Sequence, residues 1–316
     1  MNEGRRALTF HPHISIFCQL FVVLIRLPLG LWTAAGEPGM CNRVAVTALP
    51  SYRPRKALGQ NFLRDANIAR KIVEAIAPGA DDTVLEIGPG EGAITLLLAR
   101  QVKRLIAVEL DRRALLHLRS VLVGTPSEVI EGDILDLEFA PLAAQYGRLR
   151  VAGNIPYNIT SPILFRILDG RRHIVDATLL MQREVARRLA ASHGNKEYGI
   201  PSVFCQLYAD VNVLFDVSPQ VFFPRPEVTS SLVRLRMLDA PRYPVDDDPF
   251  FRAMVRSVFG KRRKTLKASL RFFLPELPEV PLPVDLQRRP EDLSIQELTL
   301  LANALYQGSA GGVPTA

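Results

Sequence analysis

The chain has 316 residues, 48% of them hydrophobic, which suffices for one full α/β core and a smaller second domain and excludes a disordered or fibrous protein. Lys and Arg number 39 against 32 Asp and Glu, a formal charge of +7 that favours a polyanionic partner without identifying one. Cys18, Cys41 and Cys205 and the five histidines (His11, His13, His117, His173, His193) match no metal-ligand spacing, so no metal centre or disulfide framework is expected and a cytoplasmic protein is.

In chain order, residues 1–50 read differently from the rest. Arg5 and Arg6 precede an apolar run over 14–32 that Arg26 and Pro28 interrupt. The segment is either a targeting or anchoring element or sequence upstream of the true initiator, Met40; the second reading is preferred, with no stable membrane association. From residue 51 the pattern becomes regular. Asp65 can cap a helix whose Ile68, Ile72, Val73 and Ile76 share a face, ended by Pro78-Gly79. Strand patterns then fall at 83–87, 104–108, 127–130, 149–152 and 176–181, separated by helical patterns at 93–101, 112–121 and 161–168. Buried strands joined by crossover helices predict a parallel sheet with helices on both faces. A helix at 202–210 and strands at 211–217 and 230–237 could close that sheet antiparallel. The Asp- and Pro-rich stretch 239–249 marks a boundary, giving an extension over 1–50, a sheet domain over 51–238 and a helical domain over 248–307, with a frayed end at 308–316. The tail is basic over its first half, with Arg252, Arg256, Lys261, Arg262, Arg263, Lys264, Lys267 and Arg271.

The run Val84-Leu85-Glu86-Ile87-Gly88-Pro89-Gly90-Glu91-Gly92 puts a glycine-rich turn between a buried strand and a helix, where backbone can approach a ligand closely. Glu109, ending the next strand, can accept both ribose hydroxyls of a nucleoside cofactor. A nicotinamide dinucleotide would use the same features, so they alone leave an oxidoreductase open. Pro89 and the Glu-x-Gly-x-Gly-x-Gly spacing resemble the first motif of class I S-adenosylmethionine methyltransferases, in which an acid such as Asp133 of Glu131-Gly132-Asp133 meets the adenine amino group. Asp133 could instead merely cap a turn.

Gly153-Asn154-Ile155-Pro156-Tyr157 has the form of the Asn/Asp-Pro-Pro-Tyr motif of enzymes that methylate exocyclic amines. The resemblance implies that the Asn154 side-chain oxygen and a backbone carbonyl of the Ile155-Pro156 turn accept the two N6 hydrogens of an adenine, while Tyr157 stacks on a base turned out of its helix. Lys56-Ala57-Leu58-Gly59-Gln60-Asn61-Phe62-Leu63, Met181-Gln182-Arg183-Glu184-Val185-Ala186 and Phe222-Phe223-Pro224-Arg225-Pro226-Glu227-Val228-Thr229-Ser230 extend the likeness. Over about residues 53–306 the chain resembles the ribosomal RNA adenine dimethyltransferases. Val228-Thr229-Ser230 replaces the Val-Asp-Ser frequent in that family.

That resemblance implies a Rossmann-like class I methyltransferase sheet with a small C-terminal helical domain, using S-adenosyl-L-methionine. It carries over Asn61, Leu63, Gly88, Glu109, Asp133 and Asn154 as cofactor contacts, and Asn154, Tyr157 and Phe222 as catalytic residues, Phe222 forming a second wall for the adenine. Lys261-Arg262-Arg263-Lys264-Thr265-Leu266-Lys267, Arg289-Pro290-Glu291-Asp292-Leu293-Ser294 and Ser161-Pro162-Ile163-Leu164-Phe165 look like the small-subunit branch, which acts on two adjacent adenines. The implied partner is small-subunit ribosomal RNA within a pre-assembled subunit, met by a monomer whose helical domain is expected to contact RNA phosphates through Lys261, Arg262, Arg263, Lys264 and Lys267. Two alternatives stand beside it: a large-subunit enzyme of the macrolide-resistance type, and a non-catalytic assembly or transcription factor on the same fold.

Overall fold

A computed structural model describes residues 53–55 and 58–309; the extension over 1–50 with Met40, the motif residues Lys56 and Ala57, and the terminal residues 310–316 lie outside them. The described chain runs β1 (Phe62–Leu63), α1 (Ala66–Ile76), β2 (Thr83–Ile87), α2 (Thr95–Ala99), β3 (Arg104–Glu109), α3 (Arg112–Val121), β4 (Ser127–Glu131), α4 (Phe139–Tyr146), β5 (Leu149–Asn154), α5 (Thr160–Asp169), β6 (Ile174–Gln182), α6 (Arg183–Ala190), α7 (Ile200–Tyr208), β7 (Ala209–Val217), β8 (Phe222–Phe223) and β9 (Ser230–Met237). The tail adds α8 (Asp248–Gly260), α9 (Leu266–Leu270) and α10 (Ile295–Gly308).

Seven strands form one sheet in the order β4-β3-β2-β5-β6-β9-β7. The first five are parallel, and β9 runs antiparallel to both β6 and β7. The burial of each strand follows its place. All five residues of central β2 are buried, whereas β4 and β7 at the edges carry exposed polar positions that discourage further pairing. From β2 the chain winds first toward β4 and then returns to the other side with β5. The order therefore reverses between β2 and β5, where a crevice opens at the carboxyl ends of the strands. Gly153 allows that junction: a Cβ there would stand 2.6 Å from the Ile87 carbonyl oxygen.

Local chemistry accounts for the elements beside the crevice. The Asp65 carboxylate accepts hydrogen bonds from the Asn67 and Ile68 amides and starts α1, whose buried face is Ala69, Ile72, Val73 and Ile76, with Ile68 half-buried. Helix α2 is shorter than the periodicity of 93–101 implies, because the glycine-rich turn continues through Gly92 (φ +84°), whose amide bonds the Pro89 carbonyl. Asp111 caps α3 through the Arg113 amide.

One apolar cluster joins α1 and α2 to a face of the sheet, and a larger one lies on the other face beneath α5 and α7. The larger cluster runs on into the tail through Phe250, Phe251, Met254, Val255 and Val258 of α8 and Leu298, Leu301 and Leu305 of α10. Phe204 of α7 meets Phe165 and Phe251 edge-on, with ring centroids 5.9 and 6.1 Å apart. The basic residues of the tail divide accordingly. Arg252 pairs with Asp169 (2.5 Å) and Asp248 (3.0 Å), and Arg256 lies against the rings of Phe165 and Phe204. Arg262 pairs with Glu291 at 3.5 Å, while Lys261, Arg263, Lys264 and Lys267 are exposed. Among the described residues, no helix is long and apolar enough to cross a membrane, and no group of three His, Cys, Asp or Glu could hold a metal ion.

Candidate active site

The turn after β2 is shaped by glycine. Gly88 (φ +61°) and Gly90 (φ +56°) occupy the left-handed region, and a Cβ at Gly90 would lie 2.9 Å from the Phe62 ring. A Cβ at Gly88 would meet no protein atom within 4 Å, so it would project into the crevice. Across the turn, Glu109 at the end of β3 accepts the Gly90 amide on Oε2 (2.9 Å) and the Asp111 amide on Oε1 (2.8 Å). Burial raises its pKa, and the two amide donors oppose that rise. A carboxylate has about four lone-pair sites, so both oxygens retain capacity for a ligand hydroxyl. Asp133, after β4, accepts the Leu135 amide on Oδ1 at 2.9 Å, which is the turn-capping role, and it also lines the crevice.

Asn154 ends β5, and its Nδ2 donates to the Asn61 carbonyl at 2.8 Å. A carbonyl can only accept, so this bond fixes the amide and leaves Oδ1 free of any donor among the described residues. Beyond it, the Pro156 carbonyl is engaged by the Ile159 amide (3.2 Å) and the Thr160 hydroxyl (3.1 Å). The Ile155 carbonyl accepts from no donor among the described residues and is the second available acceptor of the turn. Tyr157 shares a 2.6 Å hydrogen bond with the Ser230 hydroxyl, and burial raises its phenol pKa.

Residues 58–65 strap these parts together. Gln60 donates to Asp111 at 3.0 Å, and Arg113 with Gln60 holds that carboxyl at about 2. Arg64 pairs with Glu91 at 3.1 Å, and Gly59 (φ +60°) packs so closely on Asn158 that a Cβ would reach within 2.5 Å of its Oδ1. The strap also forms β1, which pairs antiparallel with β8, Phe62 opposite Phe223 and Leu63 opposite Phe222.

A cavity of about 240 Å³ collects Asn61, Gly88, Glu109, Asp133, Asn154 and Tyr157 from five separate segments, with apolar walls from Leu110, Ile134 and Ile155. Leu63 stands apart, lining a neighbouring space of about 40 Å³ with Glu86 and Asn154. Phe222 lines neither space. It is 5% exposed and packs in the apolar core with Leu63 and Val217, whereas the adjoining Phe223 is 47% exposed. Its β-pairing with Leu63 draws it into that core, which differs from the second base wall that the motif implies.

Residues to which the sequence reading gave no role also meet here. Gln60, Leu110, Gly132, Ile134, Leu135 and Asn158 line the cavity. Glu86 of β2 is 2% exposed; Thr95 donates to its Oε1 at 3.0 Å, its Oε2 has no partner, and burial pushes the carboxyl up to about 8. An acid inside an otherwise apolar strand was the available signal for it.

The donor set fits a nucleoside cofactor: a doubly anchored carboxylate with spare lone pairs, a second carboxylate on the next strand, an open glycine and apolar walls between them. Comparison with known proteins agrees. The family model described as ribosomal RNA adenine dimethylase matches residues 52–304. A "Ribosomal RNA small subunit methyltransferase A" of Chromohalobacter salexigens is 44% identical over 80% of this chain and 92% of its own length, and one of Chlorobium phaeobacteroides is 47% identical over 79% and 93%. Among solved structures, a 23S rRNA methyltransferase is 27% identical with a TM-score of 0.62, covering 78% of this chain and 99% of its own. A dimethyladenosine transferase from Plasmodium falciparum, 23% identical over 80% of this chain and 98% of its own, shares the fold at a TM-score of 0.66. The extent of the family match and relatives above 40% identity together establish that this chain belongs to the ribosomal RNA adenine dimethylase family, on its small-subunit branch.

Proposed function

We propose that this chain dimethylates N6 of adenine in 16S ribosomal RNA with S-adenosylmethionine as methyl donor, acting on two adjacent adenines during small-subunit maturation. The observation that carries the reading is the Asn154 amide, pinned by the Asn61 carbonyl so that Oδ1 is its free acceptor in the cavity that Glu109 and Asp133 also line.

Bound there, the cofactor supplies an electrophilic methyl on a sulfonium sulfur. Glu109 would hold the ribose hydroxyls and Asp133 the adenine amine of the cofactor, with open space beside Gly88. Asn61 acts through its main chain, and Leu63 supports the strap from behind. At the reacting end, the Asn154 Oδ1 and the Ile155 carbonyl accept the two N6 hydrogens of the target adenine. The amine lone pair is delocalised into the purine ring. Two acceptors that favour a tetrahedral nitrogen localise it, and they stabilise the positive charge that develops as the methyl arrives. The proton is acidic only after transfer, so it leaves to water and no strong base is needed. Tyr157, braced by Ser230, supplies the aromatic wall for a base turned out of its stack. After one methylation a single N–H remains for the second round, held by one acceptor while the first methyl occupies the other direction.

The exposed Lys261, Arg263, Lys264 and Lys267 contact ribosomal RNA phosphates, aided by Phe272, which is 62% exposed with the Lys261 ammonium 4.8 Å from its ring centre. The protein acts as a cytoplasmic monomer on a pre-assembled particle. The test is transfer of labelled methyl groups to small and large ribosomal subunits that lack these modifications. Incorporation into small subunits alone is expected; labelling of large subunits alone, or of neither, refutes the reading.

A further inference from the structure

Phe223 keeps 47% of its surface in solvent beside the candidate active site. Its backbone pairs with Phe62, whose ring lies against the cofactor turn at Gly90, so it stands one strand pairing from the cavity wall. Farther along the same loop, Ser230 bonds the Tyr157 hydroxyl and the Thr229 carbonyl accepts the Arg183 amide. The loop is thus tied to the cavity at both ends. Over the Phe223 ring lies the Arg64 guanidinium, 4.2 Å from the centroid, and this guanidinium is held by the buried Glu91 carboxylate at 3.1 Å. The result is a pre-ordered pair of ring and guanidinium, with the Arg64 side chain 41% exposed. Arg225 is exposed two residues on and forms no ion pair among the described residues, and Glu227 is the acid of that loop.

We propose that the Arg64–Phe223 pair is a stacking platform for an unpaired nucleobase of the RNA, adjacent to the adenine that enters the cavity; this rests on the RNA methyltransferase reading above. An adenine drawn out of its stack strips its neighbour of a stacking partner. An aromatic ring and a guanidinium plane replace that partner with any base, and the positive charge draws the flanking phosphates. The platform therefore serves RNA affinity and register rather than methyl transfer.

The test compares Phe223→Ala, Phe223→Tyr and Arg64→Lys with the parent on small ribosomal subunits lacking the modification, at saturating S-adenosylmethionine. Loss of one stacked base predicts a rise of about ten-fold in KM for the subunits in Phe223→Ala, with kcat changing by less than about two-fold. Phe223→Tyr retains the ring and the parental KM. Arg64→Lys keeps the charge without the plane and raises KM. Cofactor affinity by calorimetry stays at the parental value in Phe223→Ala. A parental KM in Phe223→Ala, with active parent enzyme, overturns the platform alone. Weakened cofactor binding in that variant also overturns it, because the ring would then only brace the strap. A parent that transfers no methyl to small subunits refutes the functional reading, and the platform falls with it.

Discussion

Replacing Asn154 with alanine removes two contacts at once, and the structure assigns them different consequences. In the proposed mechanism the lost Oδ1 is one of two acceptors for the target amine. A preorganised polar contact made to the transition state is worth about 3 to 4 kcal/mol, so kcat should fall roughly 10²- to 10³-fold. The lost Nδ2 frees the Asn61 carbonyl, which lies in the strap over the cofactor cavity. An ordinary hydrogen bond contributes about 0.5 to 1.5 kcal/mol, so cofactor affinity should weaken by no more than roughly ten-fold. Asn154→Asp separates the two effects. It keeps acceptor oxygens but sets a carboxylate against the Asn61 carbonyl, so it should disturb cofactor binding more than alanine does. Single-turnover methylation of small subunits gives the chemical step, and calorimetry with S-adenosylmethionine gives the binding step. Asn154→Ala turning over at the parental rate would refute the assignment, as would a loss wholly recovered by raising the cofactor concentration.

Glu109→Ala should weaken cofactor binding by about 1.5 to 3 kcal/mol, with a smaller effect on the chemical step at saturation. It also strands the Gly90 and Asp111 amides, so calorimetry should be paired with thermal melting; unchanged cofactor affinity sinks the ribose role. Glu86→Gln tests the buried carboxyl. A pKa raised from 4.5 to about 8 means the folded state holds its proton while the unfolded state loses it, so this group's stabilising contribution is full below pH 4.5 and declines as pH rises toward 8. The variant should therefore melt higher than the parent at pH 8 in the absence of cofactor, with the advantage fading toward pH 4.5; a pH-independent difference contradicts that. Neutralising Lys261, Arg263, Lys264 and Lys267 while leaving Arg262 paired should weaken subunit binding and flatten its log-log salt dependence by roughly 0.7 to 0.9 per lost phosphate contact. An unchanged slope makes the cluster a solvated surface.

The elements of the sheet were legible because each strand is a short apolar run between turn residues and each crossover helix has a buried stripe at period 3.6. Glu109 and Asn154 were legible because each ends a strand and Asp133 because it follows one by two residues, and the reversal at β2 and β5 gathers such ends. The β1·β8 pairing was not: two two-residue strands separated by most of the sheet leave no periodicity to read. That pairing decides which aromatic faces the core: Phe222 is buried against it and Phe223 keeps its ring in solvent. Charge in the tail divides in a way that sequence does not show. Arg252, Arg256 and Arg262 look like their neighbours in sequence, and only tertiary partners such as Asp169, Phe204 and Glu291 reveal them as structural.

The product formed on the base tests the central claim most directly. Small ribosomal subunits lacking the modification would be incubated with the protein and S-adenosylmethionine, and the nucleosides of their 16S RNA resolved by mass spectrometry. The mechanism proposed for Asn154 and Ile155 predicts that N6,N6-dimethyladenosine appears with the parent enzyme and vanishes with Asn154→Ala. Methylation at another base or another atom, or dimethyladenosine formed equally well without the Asn154 amide, would contradict it.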